Sequence, residues 1–425
     1  MASTKRLKIP EIMAPVGSLE GLSTAIMAGA DSVYFGVEQL NLRARSNNNF
    51  SINEIDLISR TCKSNKVKSY ITLNTIIYDH DLRLMESIVK HAKESGIDGV
   101  IASDLSVMLY AKKIGMPIHI STQANACNIE TVEFYSTFAN VVVLARELTL
   151  TQIQAIIRHI HRKKIVGPDG NPIRIEIFAH GALCMAVSGK CYLSLHSDFA
   201  SANRGACIQN CRHEYIVTDK QSGFELEIDN EFIMSSKDLC TIEFMDKIID
   251  TGVSILKIEG RGRSPEYVHT TTRCYKDAVR SVVNGSYNAE RISDWKEQLS
   301  KVYNRGFWDG YYLGKKMGEW SNSYGSNAPE RKIYIGSVSR YFKKLMVGEF
   351  KVERNPLQVG DDVLIIGPKT GVVRTSVSEL RLDNLPATHT EVRNHFSMPV
   401  PEVVRPLDKL YKVVKANGHD NLPEE

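Results

Sequence analysis

Five of the eight cysteines in this chain of 425 residues fall in one stretch, and those five could act together. They are Cys184, Cys191, Cys207, Cys211 and Cys240. An iron–sulfur cluster requires four soft thiolates that converge on one point, and loops of different lengths can supply them. The other three, Cys62, Cys127 and Cys274, have no second cysteine near them in the sequence and are predicted to be small buried side chains. The spacing therefore favours a metal centre.

Other roles for these thiols stay open at this point. A disulfide framework is disfavoured because a long chain without an export signal is expected to keep its thiols reduced. The spacings C-x6-C and C-x3-C are wider than the C-x2-C pairs typical of structural zinc sites. A nucleophilic cysteine is the remaining rival, since His180 lies four residues before Cys184, but the fold and not sequence proximity sets such partners.

Composition describes an ordinary globular protein, with 43% hydrophobic and 24% charged residues. The N-terminus does not resemble a signal peptide, and no apolar run approaches the roughly 18 residues of a membrane span. We therefore expect a cytoplasmic protein that does not insert into membranes. The net charge of +4 permits a polyanionic partner without requiring one.

Alternating apolar runs and amphipathic segments predict repeated βα units between residues 10 and 260. Eight strands are predicted, at residues 11–16, 31–36, 68–74, 98–103, 118–123, 141–146, 174–180 and 254–260. Eight strands with intervening helices predict a TIM-type (β/α)8 barrel, with an open doubly wound sheet as the alternative. Barrel active sites lie at the carboxyl ends of the strands, which would place six polar residues around one mouth. These are Asn74, Ser103, Gln123, Arg146, His180 and Glu259.

One connection is much longer than a crossover requires, and it contains the clustered cysteines. We predict a Cys-rich insertion at residues 181–253, with paired strands at 214–229, inside a barrel domain spanning residues 1–326. A segment rich in Gly, Ser and Asn ends that domain. Short strands with Gly and Pro turns then predict a small C-terminal β-barrel domain at residues 327–425, of a kind that often binds RNA.

The stretch around the first two cysteines, EIFAHGALCMAVSGKCYLS, resembles the signature of the peptidase U32 family. The matching positions are Glu176, Phe178, Gly181, Ala182, Cys184, Gly189, Cys191 and Ser194. The resemblance extends to SSKDLC, LKIEGRGRSPEYV and YNRGFWDGYY, so that it covers the barrel region.

The resemblance implies a TIM-like catalytic domain of the type that hydroxylates uridine in the tRNA anticodon loop, with prephenate as a possible co-substrate. It also implies a [4Fe-4S] cluster held by four cysteines, with tRNA and an electron donor protein as partners. The pattern carries over to Cys184, Cys191, Cys207 and Cys240, with Cys211 as the alternative to Cys207. Two other readings remain, a collagenase-like peptidase and a non-catalytic cluster carrier or scaffold. The chain has no HExxH zinc motif and no G-x-S-x-G elbow.

Charged residues at strand ends and in the matching segments complete the predicted site. We expect acid–base or anion-binding roles for His180, Glu259 and Arg261. Five further residues are predicted to bind substrate, and these are Lys237, Asp238, Lys257, Arg204 and Arg305. The alternative to a catalytic or binding role is that the charged residues of this set form structural ion pairs across the barrel rim.

Overall fold

A computed structural model describes residues 9–45, 49–216, 232–314 and 318–416. The first ten strands are β1 (Glu11–Pro15), β2 (Ser32–Phe35), β3 (Lys68–Leu73), β4 (Gly99–Ala102), β5 (Ile118–Ile120), β6 (Val141–Val143), β7 (Arg174–Gly181), β8 (Asp238–Cys240), β9 (Ile255–Ile258) and β10 (Phe307–Trp308). The helices are α1 (Leu19–Met27), α2 (Ile55–Ser64), α3 (Leu82–Glu94), α4 (Leu105–Ile114), α5 (Ile129–Ser136), α6 (Leu150–Lys163), α7 (Leu193–Asp198), α8 (Met245–Asp250), α9 (Pro265–Val283) and α10 (Ala289–Ser300). In the described ranges, no helix is both long and apolar enough to cross a membrane.

Eight parallel strands close into a barrel, as the sequence predicts. Strands β1 to β7 pair in chain order, and β9 pairs with both β7 and β1. All eight predicted strands are present, and closure through β9 excludes the open-sheet alternative. The surrounding helices bury one face each; in α3 that face consists of Met85, Ile88, Val89 and Ala92, at the spacing of an amphipathic helix.

The predicted insertion adds strands that stand outside the barrel. β8 runs antiparallel to β7, and the short β10 pairs with β8. The paired strands predicted at residues 214–229 lie almost wholly outside the described residues. Between β7 and β8 the described residues form the short helix α7 and two single helical turns, and after β8 a third turn and α8 follow, so that loops and turns carry most of the clustered cysteines.

The C-terminal part is an antiparallel sheet with its own hydrophobic core. Its strands are β11 (Glu330–Phe342), β12 (Val347–Val352), β13 (Asp362–Gly367), β14 (Gly371–Ser376), β15 (Leu380–Leu382), β16 (Leu385–Ala387), β17 (His395–Pro399) and β18 (Lys409–Lys415). Their order in the sheet is β14-β13-β18-β11-β12-β17-β15-β16. An ion pair of 2.5 Å between Lys332 and Glu266 links β11 to α9 and so joins the sheet to the barrel's helical layer.

A bulge in β7 changes the direction of its last residues. The pairing of β7 with β9 shifts register between Phe178 and His180, after which β7 pairs with β8. The Tyr275 hydroxyl of α9 supports this point, because it accepts from the Thr241 amide and donates to the Ala179 carbonyl, both at 2.9 Å. One buried hydroxyl thus fixes the junction from which the Cys-rich insertion departs.

We predict that Tyr275→Phe lowers the free energy of unfolding by about 1–3 kcal/mol, because it removes two buried hydrogen bonds, to the Thr241 amide and to the Ala179 carbonyl. Urea titration measures the change. Tyr324→Phe, at a residue that is 42% exposed, is the matched control and should stay within about 0.5 kcal/mol of the wild type. Equal effects of the two changes would contradict this role for Tyr275.

Candidate functional site

A buried ion pair crosses the inside of the barrel where β7 meets β9. The Lys257 Nζ atom lies 2.8 Å from the Glu176 carboxylate, and His119 Nδ1 lies 3.5 Å from the other carboxylate oxygen. Burial alone would raise the pKa of Glu176, but Lys257 and His119 outweigh burial and hold it at about 2. Burial lowers the pKa of Lys257 although Glu176 opposes that shift. The Lys257 ammonium also lies 4.4 Å from the centre of the Tyr34 ring.

Cationic side chains surround the mouth above this pair. Arg43 Nη2 contacts the Glu259 carboxylate at 3.0 Å, and Arg261 Nη1 donates to Thr72 Oγ1 at 2.6 Å. Burial would raise the pKa of Glu259, but Arg43 and other nearby arginines lower it to about 2. Burial lowers the pKa of Arg261 to about 10. Arg146 completes the ring of cations, and the mouth therefore suits an anionic or polar ligand.

Three contacts attach the Cys-rich insertion to the barrel mouth. Gln123, just after β5, donates to Ser188 Oγ at 3.1 Å and accepts from Asn74 at the end of β3. Arg204 forms an ion pair with Asp81 and donates to the Ile76 carbonyl at 2.7 Å. The loops between the cysteines are thereby held against the carboxyl ends of the strands.

Tight packing at a glycine adds to this attachment. Gly205 has φ +83°, and a Cβ at this position would come within 2.2 Å of the Asn41 carbonyl oxygen. Only glycine allows the insertion to approach the loop after β2 this closely. The NRG triplet at 203–205 therefore has a packing role, and Arg204 is an anchor whose guanidinium is engaged by Asp81.

Cys211 lies near the three cysteines that precede it. Burial raises the pKa of Cys211, and three neighbouring thiols raise it further while Arg212 lowers it. These neighbours are Cys184, Cys191 and Cys207. Cys184 and Cys207 are exposed, and the other two are partly buried. All four cysteines lie in the insertion, whose loops the contacts of Gln123 and Arg204 hold against the barrel mouth.

Cys240, the fourth ligand of the predicted set, lies in β8 and is more deeply buried than the other four clustered cysteines. It is 6% exposed, its Sγ lies 3.7 Å from the Tyr275 hydroxyl, and burial raises its pKa to about 11. Burial raises the pKa of the Cys274 thiol in α9, and negative charge on Cys240 raises it further. Helix α9 covers the outside of the barrel. In this structure the Cys240 sulfur therefore packs between β8 and α9.

The bulge in β7 also turns His180 away from the mouth. His180 is 1% exposed, and its ring is surrounded by those of Tyr267, Tyr275 and Phe307 at centroid distances of 5.4–5.9 Å. Burial lowers its pKa to about 3 although Glu259 opposes this shift, so the ring is neutral at physiological pH. This environment is that of a core side chain and not of an acid–base group at the mouth.

The other predicted substrate-binding residues pair with one another or with neighbouring loops. Lys237 Nζ lies 2.9 Å from the Glu319 carboxylate. Arg305 and Asp238 are both buried and lie 3.7 Å apart, and the Arg305 amide donates to Asp238 at 3.3 Å. Of that predicted set, Lys257 alone faces the barrel interior through the contacts described above.

Two features of the mouth escape sequence reasoning. Arg212 is buried and donates to the Leu183 and Ser236 carbonyls at 2.7 and 2.6 Å, which ties the backbone beside Cys211 to that beside Cys184. A cleft beside Cys184 is lined by aromatic residues from the FWDGYY segment and by Trp320. The signal for Arg212 was its place next to Cys211 in CRHEY, and the signal for the cleft was the density of aromatic residues in FWDGYY.

Known proteins resemble this chain in sequence. The model of the family described as Peptidase family U32 matches residues 17–322. This chain belongs to that family. A protein named Collagenase from Porphyromonas gingivalis (strain W83) is 55% identical over 405 residues, covering 95% of this chain and 98% of that protein. A Bacillus subtilis protein named tRNA hydroxylation protein P1 is 32% identical, covering 85% of this chain and 84% of its own length. The Escherichia coli tRNA hydroxylation protein P is 29% identical over 413 residues, covering 85% of this chain and 87% of that protein.

The buried ion pair of Lys257 and Glu176 gives a direct prediction. Lys257→Met removes the cation that neutralises Glu176 and should lower the free energy of unfolding by about 3–5 kcal/mol. The double variant with Glu176→Gln removes both charges and should recover most of that loss. Urea unfolding measures both changes. A single variant as stable as the wild type, or a double variant no better than the single, would contradict the pairing.

Proposed function

We propose that this U32 protein hydroxylates a uridine in the anticodon loop of tRNA and that four cysteines hold a [4Fe-4S] cluster at the barrel mouth. The proposed ligands are Cys184, Cys191, Cys207 and Cys211. The observation that carries the proposal is that Gln123 and Arg204 hold the insertion with these four thiols against a cation-lined barrel mouth. The relatives named tRNA hydroxylation proteins support the choice of substrate.

The donor chemistry of the four thiols fits such a cluster. Within the described ranges, no three His, Cys, Asp or Glu side chains are grouped so as to hold a metal ion. Cluster ligands stand farther apart than the ligands of one ion, because the cluster's own iron and sulfide lie between them. When bound, the cluster would supply one-electron transfer, with electrons from a donor protein. Arg212 holds the backbone near two of the ligands in place.

The chain's own residues would bind and orient the substrates. Replacing C–H by C–OH is a two-electron oxidation of the uracil ring. It balances with O2 as the oxygen source if the donor protein supplies two electrons and the second oxygen atom leaves as water, or with water as the oxygen source if an electron acceptor takes two electrons. Arg43 and Arg261 at the mouth can hold phosphate groups, or the carboxylates of prephenate, through planar N–H donors. An anticodon loop presents unpaired bases, which removes much of the cost of extracting one from a stack.

The C-terminal sheet offers a basic surface for the rest of the RNA. The hairpin of β11 and β12 exposes four cationic side chains, which are Arg340, Lys343, Lys344 and Lys351. Contacts of this kind to phosphates are independent of sequence and weaken with salt. The sheet would therefore position the tRNA while the barrel mouth receives the base.

Peptidase activity is the second candidate, because a relative with 55% identity is named Collagenase. A peptidase requires an activated nucleophile or a metal-bound water. The two histidines inside the barrel wall do not meet the first requirement: burial lowers the pKa of both, His119 contacts Glu176, and His180 contacts the Tyr275 hydroxyl at 3.3 Å. The geometry therefore favours the hydroxylase.

The substrate claim is tested by mass spectrometry of tRNA nucleosides from a strain that lacks the gene. Hydroxyuridine should disappear, return with the wild-type gene and remain absent with Cys191→Ser. Unchanged hydroxyuridine in the deletion strain would contradict the proposal. Cleavage of gelatin by pure protein that survives removal of iron would favour the peptidase instead.

The ligand set is tested by iron content after anaerobic reconstitution of the full chain. Cys211→Ser should lose most of its bound iron because it removes one of four thiolates. Cys240→Ser is the matched control and should retain iron, since its sulfur faces Tyr275. The opposite result, with iron lost in Cys240→Ser and kept in Cys211→Ser, would restore the ligand set expected from the sequence.

A further inference from the structure

An aromatic cleft opens beside Cys184 at the barrel mouth. Three of its lining residues, Trp308, Tyr311 and Trp320, carry large rings, and Arg146 and Glu147 add one charge of each sign. The cleft thus adjoins a proposed cluster ligand while presenting mostly aromatic surface.

The rings stand on segments that the fold holds firmly. Trp308 belongs to β10, which pairs with β8, and the Tyr312 hydroxyl donates to the Phe178 carbonyl at 2.7 Å. Trp308 and Tyr311 contact each other edge to face, with ring centroids 5.4 Å apart. Such fixed rings lose little conformational freedom when a ligand binds.

Trp320 is held from the other side. It forms a β-bridge with Ser236, and the neighbouring Glu319 accepts from the Lys237 amide and forms the ion pair with its ammonium. Lys237 therefore contributes to the site by fixing the segment that carries Trp320.

Two N–H donors at the cleft have no partner in the described chain. The indole nitrogen of Trp308 is buried and unpaired, and the residue is only 6% exposed. Nε of Arg146 is likewise buried and unpaired, although its Nη1 donates to the Ala182 carbonyl at 2.7 Å. A buried donor without an acceptor costs free energy, so these groups indicate a ligand that brings carbonyl oxygens.

We propose that this cleft holds the target uracil base of the RNA, stacked on the aromatic rings. The inference rests on the proposed function and names the place where its substrate binds. Uracil offers a flat ring for stacking, two carbonyl acceptors for the N–H donors, and an N–H group that the Glu147 carboxylate can accept. The opposed charges of Arg146 and Glu147 suit a neutral ring better than a dicarboxylate such as prephenate.

The chain's own tryptophans report on the cleft. Of its three tryptophans, Trp308 and Trp320 line the cleft, while Trp295 is buried in α10. Titration with an anticodon stem–loop RNA should quench the fluorescence of the reconstituted chain, because a stacked base contacts two indoles. The same RNA with an abasic residue at the target uridine should bind about tenfold more weakly and cause little quenching.

Variants separate stacking from general damage. Trp320→Ala and Tyr311→Ala should each weaken binding of labelled RNA about tenfold, whereas Trp320→Phe and Tyr311→Phe keep a ring and should stay within about twofold. Phe134→Ala, at an exposed aromatic residue of α5, is the control and should bind as the wild type does. Equal binding of the uridine and abasic RNAs would overturn the assignment. So would quenching by prephenate alone, if RNA does not displace the bound prephenate.

The result is distinguishable from failure of the proposed function. Suppose that RNA quenches the fluorescence only when it carries the uridine, but that deleting the gene leaves hydroxyuridine in tRNA unchanged. These results would support the base site and refute the hydroxylase. Loss of hydroxyuridine on deletion, together with full activity of Trp320→Ala and Tyr311→Ala, would keep the hydroxylase and refute the base site.

Discussion

The ion pair between Lys257 and Glu176 spans the seam at which the barrel closes. Its two side chains come from β9 and β7, and the pairing of these strands turns an open sheet into a barrel. Charges buried this deeply are tolerated only when each has a partner, so the pair fixes the register of the seam. Both strands then lead directly into the site, since β7 continues into the Cys-rich insertion and β9 continues to Glu259 and Arg261.

The constraint from the seam explains why the mouth combines cations and thiols. The insertion leaves β7 at the bulge and is attached again at Gln123, at Asp81 and at the loop after β2. These attachments force loops with irregular cysteine spacing to fold over one end of the barrel. Glu259, which pairs with Arg43, raises the pKa of that arginine, and negative charge on Cys184 and Cys207 raises it further. The thiols and the cationic ring therefore belong to one electrostatic environment.

Much of the fold could be predicted from the sequence because strand and helix periodicity are local signals. All eight barrel strands appear where apolar runs predicted them. The site was harder to predict, because a shift of one residue in strand register changes the direction in which a side chain points. A single register shift in β7 turns His180 into the wall, and the position of Cys240 in β8 directs its sulfur to Tyr275. Ion pairs such as that of Arg305 with Asp238 depend on contacts between distant segments, which no local pattern reveals.

The central claim is that four thiols at the mouth hold one redox cluster. The most direct measurement is electron paramagnetic resonance of the full chain, reconstituted anaerobically with iron and sulfide, before and after reduction with dithionite. The account predicts a silent oxidised state and, after reduction, the signal of a one-electron-reduced [4Fe-4S] cluster. A chain that stays free of iron, or that shows only the signal of isolated ferric ions, would contradict it.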